Sequence, residues 1–142
     1  MTIRAILDQK GDQIVSVHRD EAVEAVVALL AEKRIGAVPV IDDGKVCGIF
    51  SERDVVYGLA REGAGILQRK VAEVMTAPAL TVTPSSAIMA GLSLMTRRRI
   101  RHLPVVADDK LVGFVSIGDL VKYRVDKIEA EAAAMREYIQ TA

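Results

Sequence analysis

Apolar residues along this chain fall into two alternating modes. Short β-type runs, Ile14–Val17 and Leu80–Val82, are each followed by a stretch with helical spacing, in which Ala22, Val23, Val26, Leu29 and Leu30 share one face and Ala87, Ile88, Gly91, Leu92 and Met95 echo them. Asp20 and Ser85 stand where an N-cap would open these helices, and Lys33-Arg34 and Arg97–Arg99 stand at their negative ends. Two further β-type runs follow in each half. Ala37–Ile41 and Val46–Phe50 flank the turn Asp42-Asp43-Gly44-Lys45, and Leu103–Val106 and Leu111–Val115 flank Asp108-Asp109-Lys110, so a hairpin is predicted in both halves. A second helix opens at Ser51 and at Ser116. The pattern predicts an α/β fold in which one strand-helix-strand-strand-helix unit is used twice.

Shifting the sequence by 65 residues lays Ile14–Leu59 on Ala79–Arg124 without a gap, and 14 of the 46 positions are identical. Among the identities are Pro39/Pro104, Gly48/Gly113, Ser51/Ser116 and Asp54/Asp119. Two pseudo-twofold-related repeats are therefore expected to pack as one body. The expected division is residues 1–62 and 71–126 for the repeats, 63–70 for a linker and 127–142 for a C-terminal helix. Arg61–Gly65 reads as the flexible stretch. Val71–Thr76 leads into the second repeat and has its counterpart in Ile3–Leu7, at an offset of 68 that places three extra residues near Gln9–Asp12. Beyond Asp119, Val121, Val125, Ile128, Ala132, Met135 and Ile139 recur at steps of four and three, a heptad seam. That seam fits a helix packed on its own domain and equally a helix that meets a twofold mate.

Composition narrows the function classes. At 142 residues, with 51% apolar residues, the chain can bury roughly two-thirds of its unfolded surface. Nineteen basic against nineteen acidic residues give no net charge, which argues against wholesale attraction to nucleic acid or anionic lipid, so any anion site is local. One cysteine and two histidines exclude a disulfide framework and disfavour a multi-ligand zinc site. The single cysteine makes a reducing cytoplasm the expectation, and no apolar run approaches the length of a membrane span and no hydrophobic leader is visible after Met1. Aromatic residues are only 4%, without Trp, so a bound base is expected between aliphatic side chains.

The candidate chemistry lies in Ser51-Glu52-Arg53-Asp54 and Ser116-Ile117-Gly118-Asp119, each following a strand and opening a helix. A hydroxyl with a carboxylate three residues on is also a capping box, which only satisfies backbone donors. Yet free N–H groups and the positive dipole end favour an anion there, a serine can donate to phosphate, and a short carboxylate can accept ribose hydroxyls. Other features read more simply. His18-Arg19-Asp20 imitates a kinase triplet without the accompanying motifs and reads as a turn. Arg97–Arg99 with Arg101 read as dipole complements or phosphate contacts, Cys47 as a small hydrophobe, and His102 as a cleft-mouth or structural residue. No repeated histidine accompanies Ser51 or Ser116 to act as a general base, so catalysis is disfavoured.

The recurring strand and helix, Ile-Gly-Ala-Val-Pro-Val or Ile-Arg-His-Leu-Pro-Val, a turn, and Gly-x-x-Ser-x-x-Asp before a second helix resemble the CBS domain, named for cystathionine beta-synthase. Val71–Thr76 is similar to the segment that leads into a second such domain, and the resemblance spans about residues 3–124. It implies a tandem pair that binds adenosine-containing ligands (AMP, ADP, ATP, NAD or S-adenosylmethionine) in two clefts between the repeats, with two pairs associating as a disc-like homodimer. Carried over by position, Asp54 and Asp119 would hold ribose and Ser51 and Ser116 would lie near phosphate. The Asp119 cleft would include Ile14, Val15 and Ser16 with Ile35 and Gly36, and the Asp54 cleft Ala79–Thr81 with Ile100 and Arg101. Arg101 matches a phosphate-contacting position, and its counterpart is Gly36; Arg53 has Gly118 as its counterpart; His102 adjoins the site. The Asp119 cleft is expected to favour AMP through Arg101. The reading that follows is a regulatory, energy-sensing module that signals to an effector protein. The alternatives are a ligand-free dimerisation adaptor and a small nucleotide-directed enzyme.

Overall fold

A computed structural model describes residues 1–11 and 13–141; Asp12, in the expected three-residue insertion, and Ala142, at the end of the expected C-terminal helix, lie outside the described residues. The chain runs α1 (Ile3–Lys10), β1 (Val17–His18), α2 (Val23–Lys33), β2 (Ala37–Asp42), β3 (Lys45–Ser51) and α3 (Glu52–Glu62). A 3-10 turn (Gly63–Gln68) and α4 (Val71–Val74) lead to α5 (Ile88–Arg98), β4 (His102–Ala107), β5 (Lys110–Ser116) and α6 (Ile117–Thr141). No helix among the described residues is long and apolar enough to cross a membrane.

The two hairpins follow their sequence signals. β2 pairs antiparallel with β3, placing Val40 opposite Gly48, and β4 pairs with β5, placing Val105 opposite Gly113. Asp43 and Gly44 at the first turn and Asp108 and Asp109 at the second all have positive φ, as a two-residue type I′ turn requires. The expected first strands are shorter and later than their apolar runs. β1 holds only Val17 and His18, parallel to Val40 and Ile41, and in the second repeat the strand shrinks to a bridge between Val82 and Val105. Valine is the one inward anchor in each case, at 3% and 8% exposure.

The helix starts also differ from expectation. Asp20 and Ser85 are not N-caps; α2 and α5 begin after Ala22 and Ala87. Asp20 donates its N–H to His18 Nδ1 in a preceding turn, and Ser86 rather than Ser85 accepts the Thr83 N–H. The first donors of the two helices are met by distant carbonyls instead: Val23 N–H by Arg69 at 2.9 Å and Ile88 N–H by Met1 at 3.3 Å. A backbone acceptor from another segment replaces the side-chain cap.

Those carbonyls belong to segments exchanged between the repeats. α1, which precedes the first repeat in sequence, buries Ile3 and Ile6 in a core with Ile88, Met95, Leu103, Val115 and Leu120 of the second. α4, which precedes the second repeat, buries Val71 and Val74 with Val26, Val38 and Phe50 of the first. Gly113 and Gly48 mark the crossings. A Cβ on Gly113 would overlap Leu7, and one on Gly48 would lie 2.6 Å from Met75 Sδ and 2.8 Å from the Thr76 carbonyl. The stretch that reads as flexible is ordered: the Gly63–Gln68 turn drives Ile66, 1% exposed, into the first core beneath Gly58. Finally, the second helix of repeat two and the expected C-terminal helix are one continuous element, α6.

Candidate functional site

β3 and β5 each run into a helix through a tight junction that positions the serine and aspartate. At the first, the Glu52 N–H donates to the Gly36 carbonyl at 3.0 Å; at the second, the Ile117 N–H donates to the Arg101 carbonyl at 2.7 Å. Because Gly36 and Arg101 immediately precede β2 and β4, each helix N-terminus is fixed against the residue where its own hairpin begins.

Both capping boxes are formed. Asp119 Oδ2 accepts the Ser116 N–H at 2.8 Å, and the Asp119 N–H donates to the Ser116 hydroxyl at 3.1 Å. Asp54 Oδ2 accepts the Ser51 N–H at 2.9 Å and its hydroxyl at 3.3 Å, while Oδ1 accepts the Thr76 hydroxyl at 2.7 Å. Asp54 is 9% exposed, and Thr76 reaches it because the exchanged segment pairs with β3 at Ile49.

The surroundings of the two aspartates are unequal. Asp54 opens onto a cleft of about 690 Å³ between the repeats, within the range of small-molecule sites. Gly36, Ile49, Ser51, Glu52, Arg53, Asp54, Tyr57 and Thr76 form one wall, and Arg98, Ile100, Arg101 and His102 the other. Arg53 also donates to the Arg99 carbonyl at 2.8 Å, joining the N-terminus of α3 to the left-handed residue that ends α5. His102 stacks on Phe114, with centroids 5.5 Å apart and planes 11° from parallel. Burial holds its imidazole below the ordinary histidine range, an effect that Asp119 opposes and Lys10 reinforces.

Asp119, in contrast, borders a pocket of about 110 Å³ with Ile6, Gln9, Lys10, Lys122 and Tyr123. Lys10 Nζ donates to Asp119 Oδ2 and to the Phe114 carbonyl, both at 2.8 Å. Burial pushes the Asp119 carboxyl upward, but the bonds from Lys10 and Ser116 more than reverse this and hold it below its ordinary value.

The expected site residues are thus redistributed. Ser51, Arg53, Asp54, Gly36, Ile100, Arg101 and His102 share the large cleft. Ile100 and Arg101 lie with Asp54, the cleft expected to hold them, whereas the phosphate role expected of Arg101 beside Asp119 is not available there; Gly36, expected beside Asp119, also lies with Asp54, because both pre-hairpin segments border the same inter-repeat space. Ser116 and Gly118 stay beside Asp119 as its helix junction, with Gly118 against the Ser116 hydroxyl. Val15 and Ile35 pack on the first core, Ile14 is half-buried, and Ser16 and Thr81 are exposed; none of these five borders either cavity. The sequence reading missed Ile49, Tyr57 and Thr76 as lining residues, and gave Glu52 and Arg98 no place of their own in the cleft. Tyr57 carried a usable signal, one helical turn beyond Asp54; Arg98 was legible as part of a cationic run read as dipole complements or phosphate contacts, but not as the one of the three that borders the cleft.

Comparison with known proteins gives this architecture a family. The CBS domain profile matches residues 10–61 and 71–126. The mitochondrial CBS domain-containing protein CBSX3 of Arabidopsis thaliana is 34% identical over 126 residues, covering 85% of this chain, which spans 61% of that protein. Among solved structures, the CBS-domain containing protein ATU1752 from Agrobacterium tumefaciens is 39% identical and superposes with a TM-score of 0.83, covering 87% of this chain and 99% of that one. The CBS domain pair of protein MJ0100, solved in complex with 5′-methylthioadenosine and S-adenosyl-L-methionine, is 22% identical with a TM-score of 0.78, covering 89% of this chain and 98% of that one. With both matched segments folded as paired α/β units that share one inter-repeat cleft, this chain belongs to the CBS domain family as a tandem pair.

Proposed function

We propose that this protein is a regulatory module that binds an adenosine-containing ligand in the Asp54 cleft, with AMP favoured over ATP, NAD and S-adenosylmethionine, and passes the bound state to an effector protein as a homodimer. The observation that carries this reading is the composition of the two facing walls. Asp54, at the start of α3, offers a short carboxylate for ribose hydroxyls, and Arg98 and Arg101 face it with guanidinium groups suited to phosphate. A carboxylate can accept about four hydrogen bonds, so the contacts from Ser51 and Thr76 leave room for a ribose hydroxyl. Ile49, Ile100 and Tyr57 supply apolar surface for a base. The adenosine ligands of the MJ0100 pair support the ligand class; the arginines favour a member of that class that carries phosphate. Signalling follows if the ligand binds one arrangement of the two repeats better than another.

Calorimetry with AMP, adenosine, ATP, NAD and S-adenosylmethionine tests the proposal. AMP is expected to bind, and Arg101→Ala to weaken AMP by roughly tenfold to a hundredfold while leaving adenosine affinity unchanged. Unchanged AMP affinity in that variant overturns the phosphate assignment. The second reading, a ligand-free adaptor, draws on Lys10 filling the Asp119 pocket; it takes over if no ligand of the panel binds or raises the melting temperature.

A further inference from the structure

The α6 helix leaves the body of the protein about a third of the way along its length. Leu120 is fully buried and Tyr123 packs against the second core, but from Val125 through Thr141 every residue is exposed. This projecting part is about 25 Å long. A solitary helix of that length is marginal in water, yet here it carries an apolar stripe: Val121, Val125, Ile128, Met135 and Ile139 are between 44% and 66% exposed. Intramolecular packing therefore does not explain the heptad seam.

The charges beside the seam identify what covers it. With Val125, Ala132 and Ile139 at a and Val121, Ile128 and Met135 at d, the flanking g positions are Arg124, Glu131 and Tyr138 and the flanking e positions are Lys122, Glu129 and Arg136. In a parallel in-register pair each g residue faces the e residue five positions on in the other helix. Arg124 then meets Glu129 of the second copy, and Glu131 meets Arg136, in both directions. An antiparallel pair aligned over the same seam sets Glu129 against Glu129, Glu131 against Glu131 and Lys122 against Arg136, all like-charged. A surface whose charges complement themselves only in parallel register fits a second copy of this chain.

We propose that α6 of two copies pairs as a parallel coiled coil over Val121–Ile139, so that the two CBS pairs are joined side by side in the same orientation. This deepens the homodimer reading above and is independent of the ligand. Sedimentation of the full chain and its variants tests it. The wild type is expected to be dimeric at micromolar concentration, and Val125→Glu with Ile128→Glu to be monomeric, with its AMP affinity unaffected because both positions lie outside the cleft and its melting temperature lowered only to a value that no longer depends on protein concentration. Glu131→Arg should weaken the dimer roughly tenfold and Arg136→Glu in the same chain should restore it. Ile139→Cys on a Cys47→Ser background should cross-link on oxidation, since only parallel pairing brings position 139 against itself. A monomeric wild type, a dimer that survives the double glutamate variant, or a dimer whose Ile139→Cys form does not cross-link overturns the proposal; AMP binding tests the ligand reading separately.

Discussion

His102 stands between the cleft and the second core, and its titration should register in stability. Burial depresses its folded-state pKa, so between that value and the unfolded value near 6.5 the native protein binds fewer protons than the unfolded chain. Stability from this group is complete above about pH 6.5 and declines as pH falls below it. Urea midpoints measured on either side of that pH should show the decline, and His102→Gln should flatten it. Asp119 works in the same sense lower on the pH scale: its depressed pKa contributes stability that is complete above the ordinary aspartate value of 3.8 and is lost as pH falls through the folded value. At this scale the sequence was informative where the partner was near. The Ser51–Asp54 and Ser116–Asp119 bonds span three residues and were legible from spacing, whereas Lys10 meets Asp119 across 109 residues, a distance over which no local pattern reports.

The exchanged lead segments explain why some elements matched their sequence signals and others did not. Hairpins and helices are set by local periodicity and turn chemistry, so Asp43-Gly44 and Asp108-Asp109 were readable as I′ turns. The first strands were not, because a single inward valine anchors each of them, and the caps were not, because Arg69 and Met1 supply carbonyls from outside the repeat. The repeat identity Gly48/Gly113 acquires a physical reason only once the crossings are seen. Gly48→Ala must displace the Thr76 backbone, and we expect it to cost about 1–3 kcal/mol in chemical denaturation. Gly65→Ala, where a Cβ meets nothing within 4 Å and φ is not positive, is the matched control and should be close to neutral.

Over the whole molecule, each core draws essential apolar residues from both ends of the tandem: Ile3 and Ile6 complete the second, Val71 and Val74 the first. Removing either half strips the other of buried side chains. The chain should therefore unfold in one cooperative transition, with far-ultraviolet circular dichroism and tyrosine fluorescence giving coincident urea curves; two separated transitions would show that the halves are energetically independent. The sequence announced the duplication through its 65-residue offset, but an offset is silent about which copy of a segment packs on which core, and the same ambiguity let Arg101 be read both in the Asp54 cleft, where it lies, and as a phosphate contact beside Asp119, where it does not.

The interlocking of α1 and α4 also has a practical outcome. If the backbone were severed among the exposed glycines at 63–65, the two pieces would each lack part of a hydrophobic interior that the other holds. Produced separately, they should behave as unfolded polypeptides that recover structure only on mixing, which makes this small protein a natural candidate for a split reporter whose reassembly is read out as regained order.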